Sequence, residues 1–189
     1  MMPEWITTKE GVTLLAAVIA ATVSFITLLF NIFTAQSAEL RKVHRDVLVK
    51  YIHELGDCLH QTLATSNILL MNKTDQSAAN WRERASAAKT KLKALRIKLR
   101  YPLWGLDSAF KTISILPDWI DHVRQYPEHS ALVLKKGNDL GRLLDRTVRK
   151  CYIRGRSPNW LEIQLVNWRR RQLEKAYEAF KNRPKYVPR

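Results

Sequence analysis

The chain has 189 residues, a length typical of one domain, with 46% hydrophobic and 26% charged residues, which excludes a disordered or fibrous protein. Two cysteines exclude a disulfide framework and a complete zinc site. The 32 Lys and Arg residues outnumber the 17 Asp and Glu residues, so the formal net charge is +15.

An uncharged segment near the N-terminus predicts a transmembrane helix over residues 11–33. No charged residue occurs from Gly11 to Phe33, and a helix of this length rises about 34 Å, enough to cross a hydrocarbon core of about 30 Å. A cleaved signal peptide is the alternative. It is disfavoured because such a peptide uses about 7–15 apolar residues behind a basic segment, whereas here Lys9 is the one basic residue before the run.

Positive charge is concentrated after the predicted span, at Arg41, Lys42, Arg45 and Lys50. The positive-inside rule therefore predicts a single-pass membrane protein whose C-terminal side faces the cytosol. Residues 1–10 are expected outside the membrane, residues 34–182 are expected to form a cytosolic domain, and residues 183–189 a mobile basic tail. Beyond Phe33 the chain has 31 basic and 15 acidic residues, a net charge of +16.

Small and polar side chains recur every three or four residues along one face of the predicted span. This stripe comprises Thr13, Ala17, Ala20, Ser24, Thr27, Asn31, Thr34 and Ala38, and it continues to Arg41 and Arg45. Small residues let helices approach closely, and hydroxyl and amide groups bond across helix interfaces. Three interpretations remain open: a helix dimer, a ring whose stripe lines a pore with the two arginines at its cytosolic mouth, and a passive anchor.

Beyond residue 38 the sequence shows helical periodicity and no strand pattern. The span is expected to continue as one helix to about Met71, and residues 72–80 are expected to form a loop. A second helix is predicted by an apolar stripe that ends before Pro102: Trp81, Ala85, Ala88, Leu92, Leu95 and Leu99. Further helical stretches are predicted over residues 103–126, with a break near Pro117, and over residues 129–153.

A last helix is expected after Gly155, which fits a C-terminal cap, with Ser157 as N-cap and Pro158 as its first residue. Its apolar positions include Leu161, Leu165 and Trp168. The predicted fold class is therefore all-α: an N-terminal transmembrane helix followed by a four- to five-helix bundle. In the cytosol, Cys58 and Cys151 are expected to be reduced core residues.

One pair of residues has a spacing that is typical of a catalytic motif. Arg124 and His129 form an R-x4-H motif, in which the histidine would act as acid or base and the guanidinium would hold phosphate charge during RNA cleavage. A structural contact between the two residues is the alternative. The five histidines show no metal-ligand spacing, and no nucleotide-binding or serine-hydrolase motif occurs. We therefore expect neither a metal nor another cofactor.

Basic residues beside the apolar stripe of the second helix predict a phosphate-binding surface. They are Arg82, Lys89, Lys93, Arg96 and Arg100. The phosphate would belong to RNA, DNA or anionic lipid, and simple solvation of a charged helix face is the alternative. Four tryptophans are candidates for base stacking, although their apolar positions favour core packing: Trp81, Trp104, Trp160 and Trp168.

The N-terminal membrane helix, the small helical domain and the R-x4-H motif together resemble the membrane accessory proteins of type VI-B CRISPR systems. The resemblance implies a HEPN-like fold, a ring-shaped membrane pore and a role in antiviral defence. It implies as partners other copies of the chain, membrane lipid, and RNA or an RNA-guided effector complex. Gln125 and Pro127 depart from the HEPN motif, in which Asn, Asp or His usually follows the arginine.

Three functional hypotheses follow from the sequence. The leading one is a non-enzymatic, oligomeric membrane protein that forms a pore or otherwise perturbs the membrane. The second is a membrane-tethered domain that binds RNA or DNA, with or without cleavage by Arg124 and His129. The third is a structural tether whose second helix docks a partner protein.

Overall fold

The computed structural model describes residues 9–71 and 75–182, which contain six α-helices and no strand. The chain divides into two compact units, Met1–Lys42 and Val43–Arg189. The all-α fold class is thus confirmed. Most of the predicted external tail (residues 1–10) and the whole basic tail (residues 183–189) lie outside the described residues. The second unit begins nine residues after the expected domain start at residue 34.

The first helix, α1, extends over Lys9–Met71 without interruption. No proline occurs in this range, so every interior residue donates its backbone hydrogen bond. Its most apolar window has a mean hydropathy of 2.4, and none of that window is buried within the chain. This helix is long and apolar enough to cross a membrane. The core helix of a soluble protein, which is mostly buried, and a signal sequence pass the same test of length and composition.

The second helix, α2, extends over Asp75–Lys98. The predicted loop at residues 72–80 is wrong for residues 75–80, which are helical, and residues 72–74 lie outside the described part. The predicted apolar stripe is confirmed, because Ala85, Ala88, Leu92, Leu95 and Leu99 are buried and Trp81 is half-buried. Burial of each leucine contributes about 1.5–3 kcal/mol. This stripe therefore fixes α2 on the core of the second unit.

The third predicted stretch forms two short helices, α3 (Asp107–Ser114) and α4 (Leu116–Val123). The chain leaves helical geometry at Ile115, whose backbone angles are φ −100° and ψ 0°. Pro117 then occupies the first turn of α4, where its missing N–H removes no helical hydrogen bond. The break near Pro117 is thus where the sequence predicts it.

The last two helices are α5 (Pro127–Arg154) and α6 (Trp160–Lys181). Gly155 adopts a left-handed conformation (φ 63°), and the N–H of Arg156 donates to Cys151 O at 3.2 Å, which confirms the predicted C-terminal cap. The predicted N-cap of α6 is wrong. Asn159 takes that position because its side chain and that of Glu162 form a reciprocal capping box.

The core of the second unit combines leucines from the C-terminal part of α1 with apolar residues of the five later helices. The free thiols of Cys58 and Cys151 are both buried in it, as the sequence predicts. The prediction of core packing fails for Trp104, Trp160 and Trp168, which are exposed. On α6 the buried face instead carries Ile163, Val166, Leu173, Ala176, Tyr177 and Phe180.

Candidate functional site

The polar stripe of α1 is exposed along the first unit, from Thr13 to Arg41. Two of its hydroxyls are satisfied by their own helix: Thr27 donates to Val23 O at 2.8 Å, and Thr34 donates to Phe30 O at 2.9 Å. The side chains of Ser24 and Asn31 have no hydrogen-bond partner among the described residues. The stripe therefore contains two hydroxyls that donate to carbonyls of their own helix, and two polar side chains without a hydrogen-bond partner among the described residues.

The two arginines that continue the stripe also bond within the chain. The Arg41 guanidinium donates to the Ser37 carbonyl and to the Ser37 hydroxyl, each at 3.0 Å. Arg45, in the second unit, donates through Nη2 to Ile153 O at 2.9 Å, at the end of α5. Each guanidinium is thus held by protein groups while it remains exposed to solvent.

The proposed catalytic arginine is largely buried and belongs to an ionic cluster. The side chain of Arg124 is 8% exposed, and its Nε lies 3.2 Å from Asp121 Oδ1. Asp121 also accepts hydrogen bonds from Arg82, at 2.9 Å from Nε and 3.1 Å from Nη2. One carboxylate therefore connects two guanidinium groups, and it neutralises part of the charge that a bound phosphate would need.

The proposed catalytic histidine lies in an aromatic cluster around Phe180. His129, in the first turn of α5, meets the Phe180 ring edge-on at a centroid distance of 5.6 Å. His122 approaches the same ring at 5.4 Å, and its Nδ1 lies 2.8 Å from the Tyr177 hydroxyl. Burial raises the pKa of Tyr177, so this hydroxyl stays protonated at neutral pH. The contacts of His129 are thus those of a packing residue at the α4–α5 junction.

Three of the five predicted phosphate-binding residues hold carboxylates of α3 and α4. Arg82 pairs with Asp121 as described, Lys89 pairs with Asp118 at 2.6 Å, and Arg96 pairs with Asp107 at 3.1 Å. Lys93 and Arg100 are exposed and make no ion pair among the described residues. The basic side of α2 therefore acts largely as the surface on which α3 and α4 are held.

A cleft of about 620 Å³ lies in the second unit, between α1 and α5. Its polar lining is balanced in charge, and Arg149 pairs with Asp145 across one helical turn at 2.9 Å. Among the described residues no group of three or more His, Cys, Asp or Glu side chains is arranged to hold a metal ion. The charged or titratable lining residues are His53, Asp57, His60, Arg142, Asp145 and Arg149.

Two features of these sites were not predicted from the sequence. The Asp121 bridge joins α2 to α4 over 39 positions, and no local motif signals a pairing of that range. The exposed Trp160 and Trp168 occupy apolar positions of α6, and such positions favour core packing when the sequence is read alone. Comparisons with protein-family models, with curated proteins and with solved structures find no match to this chain.

Proposed function

We propose that this chain is a single-pass inner-membrane protein that self-associates through the polar stripe of α1 and makes the membrane permeable. Residues 11–33 cross the bilayer, the N-terminus lies outside, and the helical bundle lies in the cytosol. The apolar, wholly exposed window of α1 supports the membrane span. The positive flank at Arg41, Lys42 and Arg45 supports the orientation.

The observation that carries self-association is the pair of unpartnered polar groups at Ser24 and Asn31. Both lie seven residues apart on one face of an otherwise apolar span. An amide or hydroxyl in hydrocarbon without a hydrogen bond costs about 2–7 kcal/mol. Helix neighbours in the bilayer supply the missing partners, and the small Ala17 and Ala20 on the same face permit the close approach. In a lone anchor the two groups can only turn back onto carbonyls of their own helix, as Thr27 and Thr34 do.

In a ring of such helices the stripe faces a common axis, where water reaches the same hydroxyl and amide groups. This arrangement supports the pore over the simple dimer as our proposal, because Arg41 and Arg45 then lie beyond the cytosolic end of the lined path. The resemblance to type VI-B accessory proteins supports antiviral defence as the setting. The expected partners are further copies of the chain and lipid.

Liposome leakage tests this function. Purified chain in vesicles is expected to release an entrapped dye, and the double substitution Ser24→Leu and Asn31→Leu is expected to suppress release at least tenfold. The matched control changes the preceding residues, Val23→Leu and Phe30→Leu, at the same depth on another face of the helix. This control is expected to release dye like the wild type.

Particle size in detergent separates the two parts of the proposal. A closed oligomer that becomes monomeric in the Ser24/Asn31 variant supports association through the stripe. A monomeric wild-type chain in lipid nanodiscs overturns self-association, and an oligomer that releases no dye overturns permeabilisation alone.

No comparable observation favours the nucleic-acid alternative. Arg82, Lys89 and Arg96 already bind carboxylates, and Arg124 is largely buried beside Asp121. Binding of phosphate at these positions would have to replace ion pairs within the bundle. We therefore propose the membrane function alone.

A further inference from the structure

Exposed aromatic and aliphatic side chains gather at one end of the bundle. Tyr101 is 86% exposed, Trp104 and Trp160 are each 68% exposed, and Leu161 is 67% exposed. Tyr101 and Trp104 lie in the loop between α2 and α3, and the other two begin α6. We call these four residues the aromatic end. Single exposed apolar residues are common, but such a group on one folded surface marks an interaction site.

The backbone beneath the aromatic end is held in place by packing between the loop and α6. Ser157 Oγ donates to the Tyr101 carbonyl at 3.4 Å. Gly105 has a φ of +85°, and a Cβ at this position would come within 2.6 Å of the Ile163 side chain. Only glycine accepts both this conformation and this approach. The loop therefore rests directly on the first turns of α6, and its aromatic side chains project from a fixed base.

Unpaired positive charge accompanies these aromatic side chains. Arg100 adjoins Tyr101, and Arg156 follows the cap of α5; both are exposed, and neither side chain has an ion pair among the described residues. Arg154, by contrast, is neutralised by Glu162 at 2.9 Å. The aromatic end therefore presents two available guanidinium groups, which complement an anionic surface.

Within the second unit, α1 is hydrogen-bonded to the end of α5 that precedes α6. Arg45 donates to Ile153 O at 2.9 Å, two residues before the Gly155 cap that leads into α6. Arg45 follows Phe33, the end of the predicted span, by only twelve positions. Twelve residues of helix rise about 18 Å. The short covalent connection between the predicted span and Arg45 therefore tethers the second unit to a bilayer that holds residues 11–33.

We propose that the aromatic end binds the surface of the same bilayer. Trp104, Trp160 and Tyr101 enter the headgroup region, where amphipathic rings are favoured, and Arg100 and Arg156 bind the phosphates of anionic lipids. This inference rests on the membrane span of the proposed function. Lipid fits better than RNA because aliphatic Leu161 gains from burial among acyl chains and nothing from base stacking.

Tryptophan quenching by brominated lipids tests the inference on the full chain. The chain is reconstituted into vesicles of brominated phosphatidylcholine, with or without phosphatidylglycerol. Phosphatidylglycerol is expected to increase the quenched fraction of tryptophan emission. The Trp104→Phe/Trp160→Phe variant is expected to lose this increase, whereas Trp168→Phe, an exposed position two turns further along α6, is expected to retain it.

Charge variants test the role of the arginines. Arg100→Glu with Arg156→Glu is expected to abolish the increase. The matched control, Lys135→Glu with Lys175→Glu, makes the same charge change at exposed positions of α5 and α6 and is expected to retain the increase. An increase that survives the arginine variant, or no increase in the wild type, overturns the inference.

Further outcomes distinguish failure of lipid binding from failure of the membrane span, and lipid from other partners at the aromatic end. Chain released from vesicles by alkaline carbonate would refute the membrane span itself, whereas retained chain without the quenching increase refutes only lipid binding by the aromatic end. Shielding of Trp104 and Trp160 that depends on protein density assigns the surface to a second copy. Shielding by added single-stranded RNA assigns it to nucleic acid. Either of these results overturns the lipid proposal.

Discussion

Asp121 is the shared ion-pair partner of two arginines in the bundle. It joins Arg82 of α2 to Arg124 at the end of α4, and Arg124 is largely buried. Asp121→Asn leaves two guanidinium groups without their shared charge partner. We expect a loss of about 2–3 kcal/mol in the free energy of unfolding, less than for a fully buried pair because the Asp121 carboxyl is partly solvated. Denaturant unfolding of the detergent-solubilised chain, followed by circular dichroism, measures it.

Asp118 is the matched control for this prediction, because it lies on the same helix and pairs with Lys89 on α2 at the surface. Exposed ion pairs contribute about 0–1 kcal/mol, so Asp118→Asn is expected to cost less than 1 kcal/mol. Equal losses in the two variants would show that Asp121 stabilises the bundle no more than an ordinary surface pair does.

The two buried thiols predict the chemical reactivity of the folded bundle. Burial raises the pKa of Cys151 from 9.0 to about 11 and raises the pKa of Cys58 in the same direction. The thiolate is the reactive form, so neither residue is expected to react with iodoacetamide at neutral pH until the chain is denatured. Mass spectrometry counts the modified thiols. Alkylation of the folded chain as fast as that of the denatured chain would contradict this burial.

At the scale of elements, the sequence predicts what local periodicity and local stereochemistry determine. The α2 stripe from Ala85 to Leu99, the break near Pro117 and the Gly155 cap all depend on neighbouring residues and are confirmed. The exposure of Trp160 and Trp168 was not predicted, because an apolar residue in a helix does not by itself show which face of that helix packs against the core.

The candidate site was harder to predict than the helices. Periodicity places Arg82, Lys89 and Arg96 beside one stripe, and the structure agrees. The α4 carboxylates that pair with Lys89 and Arg82 lie 29 and 39 positions later in the chain. Tertiary packing alone brings each carboxylate to its basic partner. The polar stripe of α1 is visible in the sequence because a single helix defines its face, but the copies that would complete it are other chains.

The start of α6 gives a prediction at this scale. Asn159 accepts from Glu162 N at 2.8 Å, and Glu162 accepts from Asn159 N at 3.1 Å. Asn159→Ala removes one half of this capping box and is expected to destabilise the bundle by about 1 kcal/mol. The control is Ser157→Ala, at the position where the sequence places the cap, with an expected cost below about 0.5 kcal/mol because its hydroxyl makes only a 3.4 Å bond. Thermal unfolding of both variants decides between the two caps.

At the scale of the whole molecule, the proposed function requires the bundle to lie on the cytosolic side. Basic residues near a span set its orientation, and Arg41, Lys42 and Arg45 follow this span, whereas Lys9 alone precedes it. Protease added to intact spheroplasts is therefore expected to leave the bundle whole, and protease added to inverted vesicles is expected to remove it.

Replacing all three basic residues with Gln is expected to make the bundle accessible to external protease in part of the population. Because Lys50 lies further from the span, Lys50→Gln is the control and is expected to preserve the wild-type pattern. Cleavage of the wild-type bundle in spheroplasts would place it outside the cytosol and contradict the proposed defence role.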